Sequence, residues 1–157
     1  MAGIICDMIP EGDAKILVVG CGFSRMSEEL ADEGYTNVTS IDISYNAINL
    51  CKEEYGETYA GLTFKQMDVR QMSFNDGSFD VVIDKALLDA ITCGDGATQN
   101  VGRMLKEIHR VLSPTGTYIC VSHAPEAKRH RFLKNFDKKE KKKNYNWKRT
   151  KHLVQKP

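Results

Sequence analysis

The chain has 157 residues, enough for one domain with a buried core. Its 41% apolar and 27% charged residues are ordinary for a globular protein, and no apolar run approaches the roughly 20 residues needed to span a bilayer. Five scattered cysteines without a CxxC spacing (Cys6, Cys21, Cys51, Cys93, Cys120) argue against a disulfide framework or zinc site and for a reducing cytosol or nucleus, the cytoplasm being the expected location; no secretory signal layout opens the chain.

The net charge of +1 conceals an asymmetry. Residues 1–127 carry 9 Lys/Arg against 19 Asp/Glu, and residues 128–157 carry 13 against 2. The expected division is therefore a core over 1–127 and a basic C-terminal segment over 128–157. Such a tail suits a polyanion such as RNA, and the acidic body suits a basic protein substrate. The plainer alternative is a lysine-rich solvated face.

In chain order, a short leader precedes a fully apolar first strand, Lys15 to Val19. A helix opens near Ser24, places Glu28 and Glu29 in its first turn, buries Met26 and Leu30, and stops at Gly34. Val38 to Asp42 is the second strand. Ser44 is a candidate N-cap for a helix with Ala47, Ile48, Cys51 and Tyr55 on one face, ended by Gly56. Leu62 to Met67 is the third strand, followed by Asp68. Asn75-Asp-Gly-Ser78 is a turn, and Phe79 to Asp84 is the fourth strand. Val101, Met104, Leu105, Ile108, Val111 and Leu112 recur at helical spacing. Ser113-Pro-Thr-Gly116 ends that helix, and Thr117 to Ser122 is the fifth strand. Phe132, Leu133 and Phe136 give a narrow helical stripe. Asp137 to Lys143 has little to bury and is expected to be exposed or mobile, and Tyr145 with Trp147 is the candidate start of one further edge strand.

Alternating strands and helices predict an α/β, Rossmann-like sandwich with a parallel sheet in the order 3-2-1-4-5. Its ligand crevice lies at the switch between strands 1 and 4, beyond the strand carboxyl ends. Gly20, Cys21 and Gly22 form the turn there: Gly20 permits the tight reversal, and Gly22 lets backbone approach a ligand. The position where a dinucleotide site wants a third small residue holds Arg25, which disfavours a pyrophosphate. No Gly-Lys-Ser/Thr follows, which excludes a P-loop. A ligand bearing a ribose and a carboxylate but no phosphate suits the turn better, and S-adenosylmethionine is one. Asp42 would then accept from the ribose hydroxyls, Ile43 would pack on the adenine, Asp68 would accept the adenine amine, and Val69 would read a ring nitrogen. The alternatives are an ordinary strand end at Asp42 and a cap at Asp68.

The segments ILVVGCGFSRMSEEL, NVTSIDIS, MDVRQMSF, SFDVVIDKALLDA and EIHRVLSPTGTYI span residues 16–119. Through them the chain resembles the class I S-adenosylmethionine-dependent methyltransferases, and among these the methyltransferase-like 13 group of elongation factor 1A lysine methyltransferases. The resemblance implies cofactor contacts from Gly20, Asp42, Ile43, Asp68, Val69 and Lys85. It places Asp84, the candidate catalytic residue, near the methionine moiety or the incoming nucleophile. It implies S-adenosylhomocysteine as the product and elongation factor 1A as a protein substrate, with no membrane partner. Nucleic-acid or small-molecule methylation and a non-catalytic cofactor-binding module are the alternatives. The subgroup's glycine after Asp-Lys is Ala86 here, and the superfamily's usual acid two residues before the first glycine is Val18, a substitution this subgroup accepts. Relatives have an aromatic N-terminal segment and a C-terminal hairpin, so the chain is expected to be partial, with that hairpin incomplete. Asp89 and His123 are weaker candidates, and Cys21 reads as a small filler rather than a nucleophile.

Overall fold

The computed structural model describes residues 2–10, 12–125, 127, 129, 132 and 133. The chain divides at Ala124, and the account below concerns the unit Met1–Ala124. Beyond it, Phe132 and Leu133 are helical, as their spacing predicts. Phe136, the stretch Asp137 to Lys143, the strand expected near Tyr145 and Trp147, and the incomplete hairpin lie outside the described residues.

Five strands form an all-parallel sheet in the order β3-β2-β1-β4-β5, as the alternation predicts. They are β1 (Ile16–Val19), β2 (Val38–Asp42), β3 (Leu62–Gln66), β4 (Phe79–Lys85) and β5 (Leu112–Val121). β1 sits in the middle, paired from Ile16 to Val19 with both β2 and β4, and all four residues are buried. A strand covered on both faces reads as an unbroken apolar run.

The helices are α1 (Ala2–Cys6), α2 (Met26–Asp32), α3 (Tyr45–Tyr55), α4 (Leu87–Thr92) and α5 (Ala97–Val111). Helix α2 ends as the sequence predicts. Gly34 has φ +94°, its N–H donates to Ala31 O, and Tyr35 N–H donates to Leu30 O. This pair of bonds satisfies two terminal carbonyls of α2. Ser44 caps α3 by accepting from Ala47 N–H at 3.3 Å, and Ala47, Ile48, Cys51 and Tyr55 are the buried face.

Three elements differ from the sequence reading. The leader is partly helical, as α1, and it buries Ile5 and Ile9 in the core. Ser113–Gly116 does not separate α5 from β5. The strand starts at Leu112, and the segment is absorbed as a register irregularity between Phe79 and Val81 on β4. Pro114 is tolerated in such an irregularity, where the ladder is already broken. Finally, α4 follows β4 after a single residue, Ala86.

The connection from β3 to β4 contains no helix, so its backbone groups need other partners. Two side chains of α5 supply them. The Arg110 guanidinium donates to Met72 O at 2.8 Å and Phe74 O at 2.7 Å, while Glu107 accepts from Met72 N–H at 2.7 Å. The two side chains also pair with each other at 2.8 Å.

Ala86 is the one non-glycine residue with positive φ among the described residues, at +69°. Its N–H donates to Val121 O at 2.8 Å, which fixes the peptide in place. A Cβ in the left-handed region costs about 1 kcal/mol or more that glycine avoids. Ala86→Gly is therefore expected to raise stability by about 0.5–1 kcal/mol net of the extra unfolded-state freedom. Urea denaturation of both forms measures it, and a lower midpoint for the variant would contradict the assignment.

Candidate functional site

A cavity of about 300 Å³ opens at the carboxyl ends of the strands, where the chain order reverses about β1. Gly20 forms its floor. Ile41, Asp42 and Ile43 line one side, Met67 to Arg70 the next, and Leu87, Ala90 and Ile91 of α4 the last.

The glycine turn leaves β1 with φ +61° at Gly20 and +51° at Gly22. A Cβ on Gly20 would stand 2.7 Å from Leu87 Cδ1, whereas one on Gly22 would meet nothing within 4 Å. Gly20 is thus required by its neighbour, and Gly22 faces open space. The turn is fastened from β2. Cys21 N–H donates to Ile41 O at 3.1 Å, and Gly22 N–H donates to Asp42 Oδ2 at 2.9 Å. The other carboxylate oxygen, Oδ1, accepts from Ser44 N–H at 2.8 Å. Two of the roughly four acceptor positions of Asp42 remain, which suits a vicinal diol. Ile43, beside it, is 62% exposed, an unusual degree for isoleucine.

On the next wall, Asp68 is engaged by Arg70. The guanidinium donates to Asp68 Oδ2 at 2.7 Å, and Arg70 N–H donates to Oδ1 at 2.8 Å. The side-chain bonds to Arg70 hold the Asp68 carboxyl below its ordinary range. Arg70 also donates to Asn100 Oδ1 of α5 at 3.2 Å, tying this wall to the helix behind it. Asp68 is therefore both a cavity residue and the acceptor of a local turn.

Of the residues singled out from the sequence, Gly20, Asp42, Ile43, Asp68 and Val69 line the cavity. Cys21 and Gly22 belong to the turn and Lys85 reaches Ser24 just beyond it, and none of the three lines the cavity. Lys85 Nζ donates to Ser24 Oγ at 3.2 Å, joining the end of β4 to the entry of α2. Cys21 is buried, and burial pushes its thiol up to about 12, which fits a filler and not a nucleophile. Arg25 pairs with Glu28 on the surface.

Asp84 requires a correction. It has no exposed surface, and its carboxylate accepts from the backbone N–H groups of Leu87 and Leu88 and from the Tyr118 hydroxyl. A side chain so enclosed cannot touch a reacting atom in the cavity, so the catalytic role expected for it does not fit its surroundings. Its partners on β5 and α4 enclose it, a constraint that strand-end position alone does not reveal. Asp89 likewise turns away from the cavity, accepting from Ser122 Oγ and His123 N–H.

The sequence reading missed Arg70 and the α4 wall. The Asp-x-Arg spacing at a strand end was a usable signal for the first. For α4, the apolar Leu87, Leu88 and Ile91 in a short run after β4 carried the signal.

Comparison with known proteins matches residues 17–120 to the family described as "Methyltransferase domain". The chain is 42% identical over 127 residues to the eEF1A lysine and N-terminal methyltransferase of Danio rerio, covering 80% of this chain and 18% of that protein. The protein of the same name from Homo sapiens is 45% identical over 112 residues, 70% of this chain and 16% of its own length. The chain thus spans less than a fifth of these relatives. EEF1A lysine methyltransferase 4 of Mus musculus is 37% identical over 126 residues, 75% of this chain and 48% of that one. Among solved structures, a SAM-dependent methyltransferase from Methanosarcina mazei superposes with a TM-score of 0.67 at 32% identity, over 83% of this chain and 62% of the other.

Gly20→Ala is expected to cost about 1–3 kcal/mol, from the left-handed φ and from displacing Leu87. Chemical denaturation reads the loss, and Leu87→Ala in the same chain should recover part of it by removing the clash.

Proposed function

The chain belongs to the methyltransferase-domain family, in the class I S-adenosylmethionine-dependent group that includes the elongation factor 1A lysine methyltransferases, and on that premise we propose that it methylates a lysine of an elongation factor 1A-like protein. The observation that carries the cofactor half is the cavity at the switch point, with Asp42 and the glycine turn on one side and Asp68 with Val69 on the other. The names of the relatives support the substrate half.

The residues present fit S-adenosylmethionine. Gly22 faces open space, Asp42 keeps acceptor capacity for a ribose, and Ile43 offers an exposed apolar face to a base. Asp68 accepts the adenine amine beside the Arg70 guanidinium. When bound, the cofactor supplies an activated methyl group on a sulfonium, with S-adenosylhomocysteine as the product. This chain's contribution is to position it. A walled cavity holds the donor so that an approaching amine meets it in line, and such alignment accounts for much of the rate in displacement reactions. The charged side chains lining the cavity are Asp42, Asp68 and Arg70, and the last two are paired with each other. None of these is placed as a general base, so loss of the lysine proton falls to desolvation of the amine on docking, which lowers its pKa.

The remaining parts of the reading rest on the sequence. The five free thiols favour a cytosolic location. The core function is assigned to 1–127, and RNA contact, if the basic segment 128–157 makes one, to its charge.

Asp42→Asn is expected to weaken S-adenosylhomocysteine binding at least about tenfold, since it removes charge from a bidentate acceptor. Calorimetry measures this; wild-type binding carried over unchanged to the variant would remove Asp42 from the ribose site. For activity, mass spectrometry of elongation factor 1A incubated with the chain and S-adenosylmethionine should show methyl increments on a lysine. An unmodified substrate in the presence of demonstrated cofactor binding would leave the chain a binding module.

A further inference from the structure

Helix α4 is six residues long, and a helix under two turns has no stability of its own in water. Its N-cap residue, Ala86, supplies no side-chain acceptor, so the first N–H groups depend on another residue. Asp84 serves them. Its Oδ1 accepts from Leu87 N–H at 2.8 Å, and its Oδ2 from Leu88 N–H at 3.2 Å. The same Oδ2 accepts from the Tyr118 hydroxyl of β5 at 2.8 Å. Two further bonds tie α4 to the same end of β5: Ala86 N–H to Val121 O, and His123 N–H to Asp89 Oδ2, both at 2.8 Å. The opposite side of α4 presents Leu87, Ala90 and Ile91 to the cavity.

We propose that Asp84 and Tyr118 form a positioning pair that holds α4 where it walls the cofactor cavity, and that the hold requires Asp84 to be ionised. The proposal rests on the cofactor reading above and deepens it. Four donors converge on Asp84, the two backbone amides, the Tyr118 hydroxyl and, at 4.0 Å, the Cys120 thiol, and an ionised carboxylate, which only accepts, satisfies them all. A protonated one brings a further hydrogen into the cluster, which the Tyr118 oxygen can receive only by turning its own hydrogen elsewhere.

The titratable groups around Asp84 are Tyr118 and Cys120 on β5 and Asp89 on α4. Burial raises Asp84 to about 6, against the opposing effect of its three hydrogen bonds. Burial and the charge of Asp84 push the Tyr118 phenol well above its ordinary value, so it stays neutral. Of the pair, Asp84 is the member that changes state close to neutrality. It is ionised above about pH 6, and acidification through that point loosens the hold. By linkage, cofactor binding near pH 6 draws the proton off Asp84.

The test uses the whole chain, with S-adenosylhomocysteine as the calorimetric probe between pH 5.5 and 8, and amide exchange at Leu87 and Leu88 without ligand. Wild-type affinity should fall several-fold as pH drops through about 6, with proton release on binding. Tyr118→Phe should weaken binding about 10–100-fold at neutral pH, the scale of one lost hydrogen bond to a charged group. It should also move the pH midpoint upward, because a bond favouring the ionised form is gone, and it should speed exchange at both amides. Asp84→Asn should bind weakly with no midpoint in this range. Should that variant not fold, Tyr118→Phe and the wild-type profile decide the matter. Unchanged affinity, midpoint and exchange in Tyr118→Phe would overturn the proposal. A wild type that binds no probe at any pH would overturn the cofactor reading instead, and the exchange measurement would still decide whether the pair positions α4.

Discussion

β1 has no free face. Its four residues are buried, with a strand hydrogen-bonded on each side. Nothing polar can be built along such a strand without desolvating it, so chemistry is confined to where the strand stops. The chain then leaves in a glycine turn, and two walls of the cavity meet at that turn. β2 attaches through the Ile41 carbonyl and the Asp42 carboxylate, and α4 attaches through Leu87 lying against Gly20.

Three aspartates stand at or just past strand ends, and their environments give them three different occupations. Asp42 is half-exposed and divides its oxygens between two backbone amides, remaining open to solvent on the cavity side. Asp68 is captured by an arginine two residues on. Asp84 is fully enclosed. The sheet places all three near one crevice, but what each can do is decided by its next neighbours.

This explains what could be read in advance. Strand order and parallel pairing follow from the alternation of short apolar runs with amphipathic stretches such as Val101 to Leu112, because few topologies satisfy that pattern. The glycine turn and Asp42 were legible because positive φ and a strand-end carboxylate leave direct marks on residue choice. Asp84 was misread because its burial depends on Tyr118, which is 34 residues away and carries no local signal. Helix α4 was missed because six residues give too little periodicity, and its start is capped by an acceptor lying outside the usual N-cap position. α1 shows the same limit: five residues that are helical chiefly because Ile5 finds the core.

The attachment of the β3–β4 connection to α5 has a consequence for reading sequence variation. Arg110 and Glu107 sit on a helix, and neither lines the cavity, yet they carry the backbone of the segment that leads away from Arg70 and Met67. A heritable substitution at either position would therefore present as a defect in ligand handling while mapping to a residue with no ligand contact. Scoring variants of this chain by distance from the cavity would class such a change as harmless, whereas tracing which side chains hold a loop's amides and carbonyls would flag it.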